Sequence, residues 1–413
     1  MKILHERCAG LDVHKDTVVA CARSALDGGE AKVEVRTFAT TTRHLLELGD
    51  WLTEHRCTHV AMEATGVYWK PVWHVLEGSF ELVLGNAAHI RNVPGRKTDI
   101  NDAMWIADLL AHGLIRASFV PPAAIQNVRV LTRTRKQLVQ EVSQHTLRVQ
   151  KTLEDANIKL TGTVTDILGL TGRAMLDAIV GGETDPERLA DLADPRIRAP
   201  RAKLVEVLRG RVTENHRFLL QLHLGQIDTL RAAIAKVEEQ LGKCLGEATA
   251  IVDLLTTMPG IGKRVGEVIV GEVGTDMSRF PSAPRLISWA GLCPRSDESA
   301  GKRRDTRIRQ GAPWLKTTLV QAAWAAVRKK NSYHRAQFQR LKSRRGPKKA
   351  IIAVAASMLT SAYYMMRDGT AFIDLGPDHF LRQDRVKTAK RLTRMLQQLG
   401  YVVDVHAAAP VSS

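Results

Sequence analysis

Five short strand-like runs fall within the first 85 residues, and two of them carry an acid at or near their end. Ala9-Gly10-Leu11-Asp12-Val13 and Thr17 to Ala22 flank the tight turn His14-Lys15-Asp16, and a third run, Ala31 to Phe38, follows Gly28-Gly29. Short loops between alternating runs predict an antiparallel meander. Leucines at 45, 46, 48 and 52 then predict an amphipathic helix over Thr41 to Glu54. Thr58 to Glu63 is an apolar strand ending in an acid, Gly66 and Pro71 punctuate another helix, and Phe80 to Leu84 reads as a buried strand. A carboxylate at the end of an apolar strand costs burial energy unless it is ligated or paired. Asp12 and Glu63 are therefore candidate site residues.

The order β-β-β-α-β-α-β-α is the pattern of the ribonuclease-H-like, RuvC-like α/β fold, in which the first and fourth strands lie side by side. Asp12 and Glu63 would then face the helix that follows Gly95-Arg96-Lys97-Thr98-Asp99-Ile100-Asn101-Asp102. With Thr98 or Asp99 as its cap, Asp99 and Asp102 sit one turn apart and face the same way. Four carboxylates around one cleft repel one another, and a hard divalent cation, Mg²⁺ or Mn²⁺, relieves the repulsion. Two such ions about 4 Å apart are the arrangement that activates a nucleophile and stabilises a leaving oxygen at a phosphodiester. The plainer alternative is a capping aspartate beside a solvated one.

A chain of 413 residues exceeds one hydrophobic core, so two or three domains are expected. Residues 1–122 form the predicted catalytic domain. Residues 123–250 form a helical region in which Leu220, Ile227, Ile234 and Leu241 share one heptad position, and His223, Leu230, Val237 and Cys244 fall three residues later. That spacing predicts a coiled coil, either within the chain or between subunits. An insert at about 160–210, rich in Gly, Asp and Pro, interrupts this region. Residues 251–372 form a mainly α C-terminal domain, and 373–413 a charged, weakly patterned tail. Five cysteines without a C-x-x-C argue against a disulfide framework or a zinc site. There is no uninterrupted apolar run of about eighteen residues and no signal-peptide pattern, so a cytoplasmic, nucleoid-associated protein with no membrane partner is expected.

The formal net charge is +17, and its placement is informative. Between Arg295 and Lys349 stand 17 Lys or Arg against three acids, interleaved with Trp314, Trp324, Tyr333 and Phe338 in helix-like runs. A folded basic surface of that density most often meets a polyanion. Upstream, Pro259-Gly260-Ile261-Gly262-Lys263 between two short helices is a helix-hairpin-helix signature, whose glycines let backbone N–H groups approach a phosphate. A purely structural helix turn is the alternative.

With these residues in view, the chain resembles the DEDD-type insertion-sequence transposases that include the Piv-like DNA invertases, the family known by the number one-ten. Asp12 in Leu11-Asp12-Val13-His14-Lys15, Glu63 in Met62-Glu63-Ala64-Thr65-Gly66, and Asp99 with Asp102 match its acidic tetrad. Pro259-Gly260-Ile261-Gly262, Ala290-Gly291-Leu292-Cys293-Pro294 and Glu298-Ser299-Ala300-Gly301-Lys302 match its C-terminal transposase domain. The resemblance implies a recombinase in which Ser299 attacks a DNA phosphodiester while the tetrad, with Mg²⁺, polarises the phosphate. It also implies a homo-oligomer, dimer or tetramer, acting on donor and target double-stranded DNA with a noncoding bridge RNA as guide. Lys97, Lys302, Arg303, Arg304, Arg307 and Arg309, with Gly260, Gly262 and Lys263, are the expected nucleic-acid contacts. One departure is Gly311-Ala312-Pro313-Trp314, where Gly-Asn is frequent in the family; Pro313 suits a helix N-terminus.

Two other readings compete: a hydrolytic RuvC-like nuclease with a DNA-binding second half, and a non-catalytic nucleic-acid-binding protein. A tyrosine recombinase using Tyr333 or Tyr363 is disfavoured because His334-Arg335 lacks the H-x-x-R spacing.

Overall fold

The computed structural model describes residues 3–25, 31–64, 66–91, 93, 101–294, 297–299, 302–305, 308, 311–382 and 385–405. The chain divides into two compact units, Met1–Val120 and Pro121–Ser413.

The first unit is a mixed sheet with helices on both faces. Strands β1 (Arg7–Val13), β2 (Thr17–Ala25), β3 (Ala31–Ala39), β4 (His59–Glu63) and β5 (Glu81–Gly85) lie in the order β3-β2-β1-β4-β5. The meander β1-β2-β3 is antiparallel, while β4 pairs parallel with β1 and with β5. Helices α1 (Thr42–Glu54) and α2 (Trp69–Leu76) follow β3 and β4, and α3 (Ala87–Arg91) and α4 (Asp102–Ala111) follow β5. The short α3 adds one element to the predicted order. Strand periodicity sorts the two faces of the sheet. Ala9, Leu11 and Val13 pack with Leu45, Leu48, Leu52 and Leu76 of α1 and α2 on one side. Cys8 and Ala61 pack with Trp105, Ile106, Leu109 and Leu110 of α4 on the other. The edge strand β3 is exposed up to Phe38 and carries Lys32, Glu34 and Arg36, charges that discourage further pairing.

The second unit is almost wholly helical. Two long helices, α5 (Ala123–Asp155) and α9 (Glu214–Leu245), enclose the insert, which contains α6 (Leu170–Val180), α7 (Pro186–Asp191) and α8 (Arg201–Leu208). Arg135 meets Glu238 at 2.7 Å, and Asp155 meets His216 at 2.9 Å, so α5 and α9 run antiparallel. The predicted heptad packs on α5 in part, with Leu220, Ile227 and Leu241 buried and Leu230, Ile234 and Val237 half-buried. The insert has a core of its own: Met175, Leu176 and Ile179 of α6 and Leu204 and Leu208 of α8 close over Val149, Leu153, Leu220 and Leu224.

Beyond α9 come α10 (Thr249–Thr256), α11 (Lys263–Val273), α12 (Ala283–Ala290) and a hairpin, β6 (Asp297–Ser299) with β7 (Lys302–Asp305). Then follow α13 (Pro313–Ala326), α14 (Tyr333–Arg345), α15 (Pro347–Asp368), α16 (His379–Arg382) and α17 (Arg385–Gln398). The last two helices lie where the sequence suggests only a weakly patterned tail, and the hairpin interrupts an otherwise helical prediction. Pro313 is the first residue of α13, as its fixed φ favours. Helix α15 is long and apolar enough to span a bilayer, yet half of that stretch is buried in the unit, where it packs on α10, α12, α13 and α14. It serves as a core helix of the second unit.

Candidate active site

Asp12 and Glu63 stand at the C-terminal ends of two adjacent parallel strands. The register pairs Leu11 with Met62, which makes Asp12 and Glu63 cross-strand neighbours with side chains on the same face. That face is the one α4 covers, because Cys8, Gly10 and Asp12 alternate toward it along β1. Cys8 Sγ donates to the Ala107 carbonyl at 3.6 Å. Gly10 makes the close approach possible: a Cβ there would lie 2.3 Å from both Ala103 O and Ala107 N. Only a residue without a side chain lets the backbone of α4 rest on β1 at this point.

Helix α4 begins at Asp102, and its cap is Asn101, whose side-chain oxygen accepts from Ala103 N at 2.9 Å. The expected cap, Thr98 or Asp99, is thereby corrected: Asn101 already satisfies the free N–H of the first turn. Asp99 and Lys97 lie outside the described residues. Because α4 lies along the Gly10 face, its N-terminus carries Asp102 to the end of the sheet where Asp12 and Glu63 stand.

These three carboxylates line one cavity of about 180 Å³, together with His14, Arg91 and Trp105. His14 Nε2 is 3.1 Å from Asp12 Oδ2, and the imidazole is well exposed at the rim. Trp105, nearly buried, closes the floor and donates through Nε1 to the Ile90 carbonyl at 3.4 Å. Beneath the site, burial pushes the Cys8 thiol up to about 11 and the Cys21 thiol up to about 12, so both are neutral packing groups. Among the described residues, no three His, Cys, Asp or Glu side chains converge closely enough to hold an ion by themselves. The shared donor set is nonetheless all carboxylate oxygen, which suits a hard divalent cation and not a soft one. His14 and Arg91 escape a reading of the sequence: the first sits inside a motif read for its aspartate, and nothing in the spacing ties Arg91 to Asp12.

In the second unit, Ser299 is the last residue of β6, and its backbone is in register with Lys302 of β7. Arg303 and Arg304 belong to the same strand, whereas Arg307 and Arg309 lie outside the described residues. Pro259 to Gly262 joins α10 to α11 as predicted. Gly260 adopts φ +87°, and a Cβ on it would lie 2.4 Å from the Ala322 carbonyl of α13, so it is a close-packing position. Gly262 caps α11 with open space beside it, and Lys263 is exposed at the first turn.

A DEDD-type transposase model of the IS110 group matches residues 9–158, and the transposase model of the IS116/IS110/IS902 family matches residues 252–339. Together they span more than half of the chain and contain both candidate centres. The chain belongs to the IS110 family of transposases. It is similar to an uncharacterised 43.6 kDa protein of insertion element IS110 from Streptomyces coelicolor, at 25% identity over 68% of this chain and 73% of that protein. It is also similar to the pilin gene-inverting protein of Moraxella bovis, at 31% identity over 32% of this chain and 42% of the relative. A putative transposase of Sinorhizobium fredii is 29% identical over 37% of this chain and 41% of its own length. As an IS110-family transposase, the protein is a DNA-cutting and DNA-rejoining enzyme, and its DEDD domain points to the use of divalent metal.

Proposed function

We propose that this transposase is a serine recombinase of a bacterial insertion sequence, in which Ser299 is the nucleophile and Asp12, Glu63, Asp99 and Asp102 hold Mg²⁺. The observation that carries the reading is the delivery of three carboxylates, from β1, β4 and α4, into one cavity. The strand order β3-β2-β1-β4-β5, with acids on the central parallel pair, supports a ribonuclease-H-like, RuvC-like catalytic unit. Bound at those carboxylates, the metal would supply Lewis-acid stabilisation of phosphoryl oxygen charge. In the cleavage step the Ser299 Oγ–P bond forms as a DNA P–O bond breaks, and the serine proton leaves while the departing DNA oxygen is protonated. Reversal with another DNA hydroxyl rejoins the strand and releases the serine, so no outside energy source is needed.

The Moraxella relative's name describes inversion of a gene, a rearrangement in which every cut end is rejoined. That outcome fits a covalent intermediate better than hydrolysis. Guidance by a noncoding bridge RNA, assembly as a dimer or tetramer, and action at the nucleoid rest on family membership. Metal removal is the test of the acidic centre. Cleavage of a duplex bearing the element's ends should stop in EDTA and return with Mg²⁺, and Asp12→Ala should stay inactive on Mg²⁺ addition. Cleavage at an undiminished rate in EDTA would remove the metal from the account.

A further inference from the structure

We propose that the tip formed by the end of α14 and the start of α15 is a docking surface for the phosphate backbone of duplex DNA. This rests on the DNA-rejoining reading for its partner but on separate residues for its evidence. From Arg328 to Lys349 the chain contains ten Lys or Arg and no acid. Gly346 alone separates the two helices, with φ +78°. The turn gathers Lys342, Arg344, Arg345, Lys348 and Lys349 within eight residues, all exposed.

Three features separate this tip from an ordinary solvated face. The first is its lack of internal counter-ions. Several arginines elsewhere in the unit are met by acids, as Arg173 by Asp228 at 2.7 Å, Arg196 by Asp194 at 2.9 Å and Arg201 by Asp191 at 2.7 Å. Among the described residues, none of the five tip cations forms an ion pair. Secondly, Lys348 and Lys349 occupy the first turn of a 22-residue helix, where the helix dipole favours acids and disfavours cations. An external anion relieves both this and the mutual repulsion of the five charges. Thirdly, the tip is held on a rigid base. Ala350, Ile351 and Val354 are buried immediately after it, Phe338 is buried before it, and Gln337 Nε2 donates to Ser357 Oγ at 2.7 Å across the two helices. A fixed cluster of unpaired cations matches a dense anion, and duplex DNA, with about one charge per 1.7 Å of axis, is the dense anion that a DNA-rejoining enzyme has to hold.

The test is the salt dependence of duplex binding by the full chain, comparing wild type with the variant K342Q/R344Q/R345Q/K348Q/K349Q. The slope of log affinity against log salt should become shallower by up to about 4.5, because each of the five lost phosphate contacts removes about 0.9. Affinity near 0.1 M salt should fall at least about tenfold, equally for scrambled sequences. A charge-keeping variant, K342R/K348R/K349R, should bind as wild type does, and unchanged helicity and melting temperature in the glutamine variant would show that it folds. Ser299→Ala should retain the wild-type slope, so a failed nucleophile assignment leaves this surface standing. An unchanged slope in the folded glutamine variant, a change confined to RNA, or no duplex binding by wild type would each overturn the proposal.

Discussion

Gly10 shows how one absent side chain sets the geometry of the candidate site. Two residues before Asp12 on the same face of β1, it allows α4 to lie against the strand, and the N-terminus of α4 delivers Asp102. In Gly10→Ala the new Cβ would meet backbone, not a flexible side-chain end, so the helix must move. Overpacking of this kind costs about 1–3 kcal/mol. Gly10→Ala is accordingly expected to unfold at lower denaturant and to lose strand transfer by a factor larger than the stability change explains. Wild-type activity in a folded Gly10→Ala protein would show that α4 does not set the site. At this scale Asp12 and Glu63 were legible from sequence because an acid ending an apolar strand is costly. The cap differs from the expected one: Thr98 and Asp99 have the right chemistry, but Asn101, two residues before Ala103, takes the bond. Gly10 carried no local signal, since the atoms it makes room for lie more than ninety residues away.

Among elements, the pairing of α5 with α11 depends on a buried carboxylate. Glu272, 1% exposed, accepts two bonds from Arg133 at 2.7 and 2.9 Å, while Arg129 donates to the Gly271 and Glu272 carbonyls at 2.9 and 2.7 Å. Burial draws Arg129 down to about 10 even though Glu272 opposes that shift. Arg133 also lies over the Trp314 ring, 5.6 Å from its centroid, which ties α13 to the same junction. Removing one partner of a buried pair leaves uncompensated charge and typically costs about 3–5 kcal/mol. Glu272→Ala should fall at the low end, because Arg133 keeps 38% of its side chain exposed. Denaturant titration of the full chain measures it, and a loss below about 0.5 kcal/mol would show that the pair is not a structural tie. No periodicity connects Glu272 with Arg129 and Arg133, about 140 residues apart, so this junction could not be read from sequence. The long helices could, because a heptad stripe declares its buried face whatever it packs on; only the partner, here α5 of the same chain, had to be seen.

For the whole molecule, the candidate site residues fall in different units. The carboxylates belong to the first unit and Ser299 to the second, and the transposase family models match each part in turn. The mixed sheet was legible because short loops and strand lengths leave few topologies, and the 3-2-1-4-5 order follows from a meander continued by parallel crossovers. The β6–β7 hairpin was not, since its strands have three and four residues and no alternating apolar pattern. The central claim, that a serine and an acidic metal centre act in one strand-transfer reaction, is tested most directly by trapping the covalent intermediate. The protein is expressed with its flanking DNA, so that any guide RNA is present, and wild type is compared with Ser299→Ala and Asp102→Ala. An adduct in wild type alone, released by digestion as a phosphoserine peptide containing residue 299, is the predicted result. Cut DNA without an adduct, made equally well by Ser299→Ala, would contradict the account and identify a hydrolytic nuclease instead.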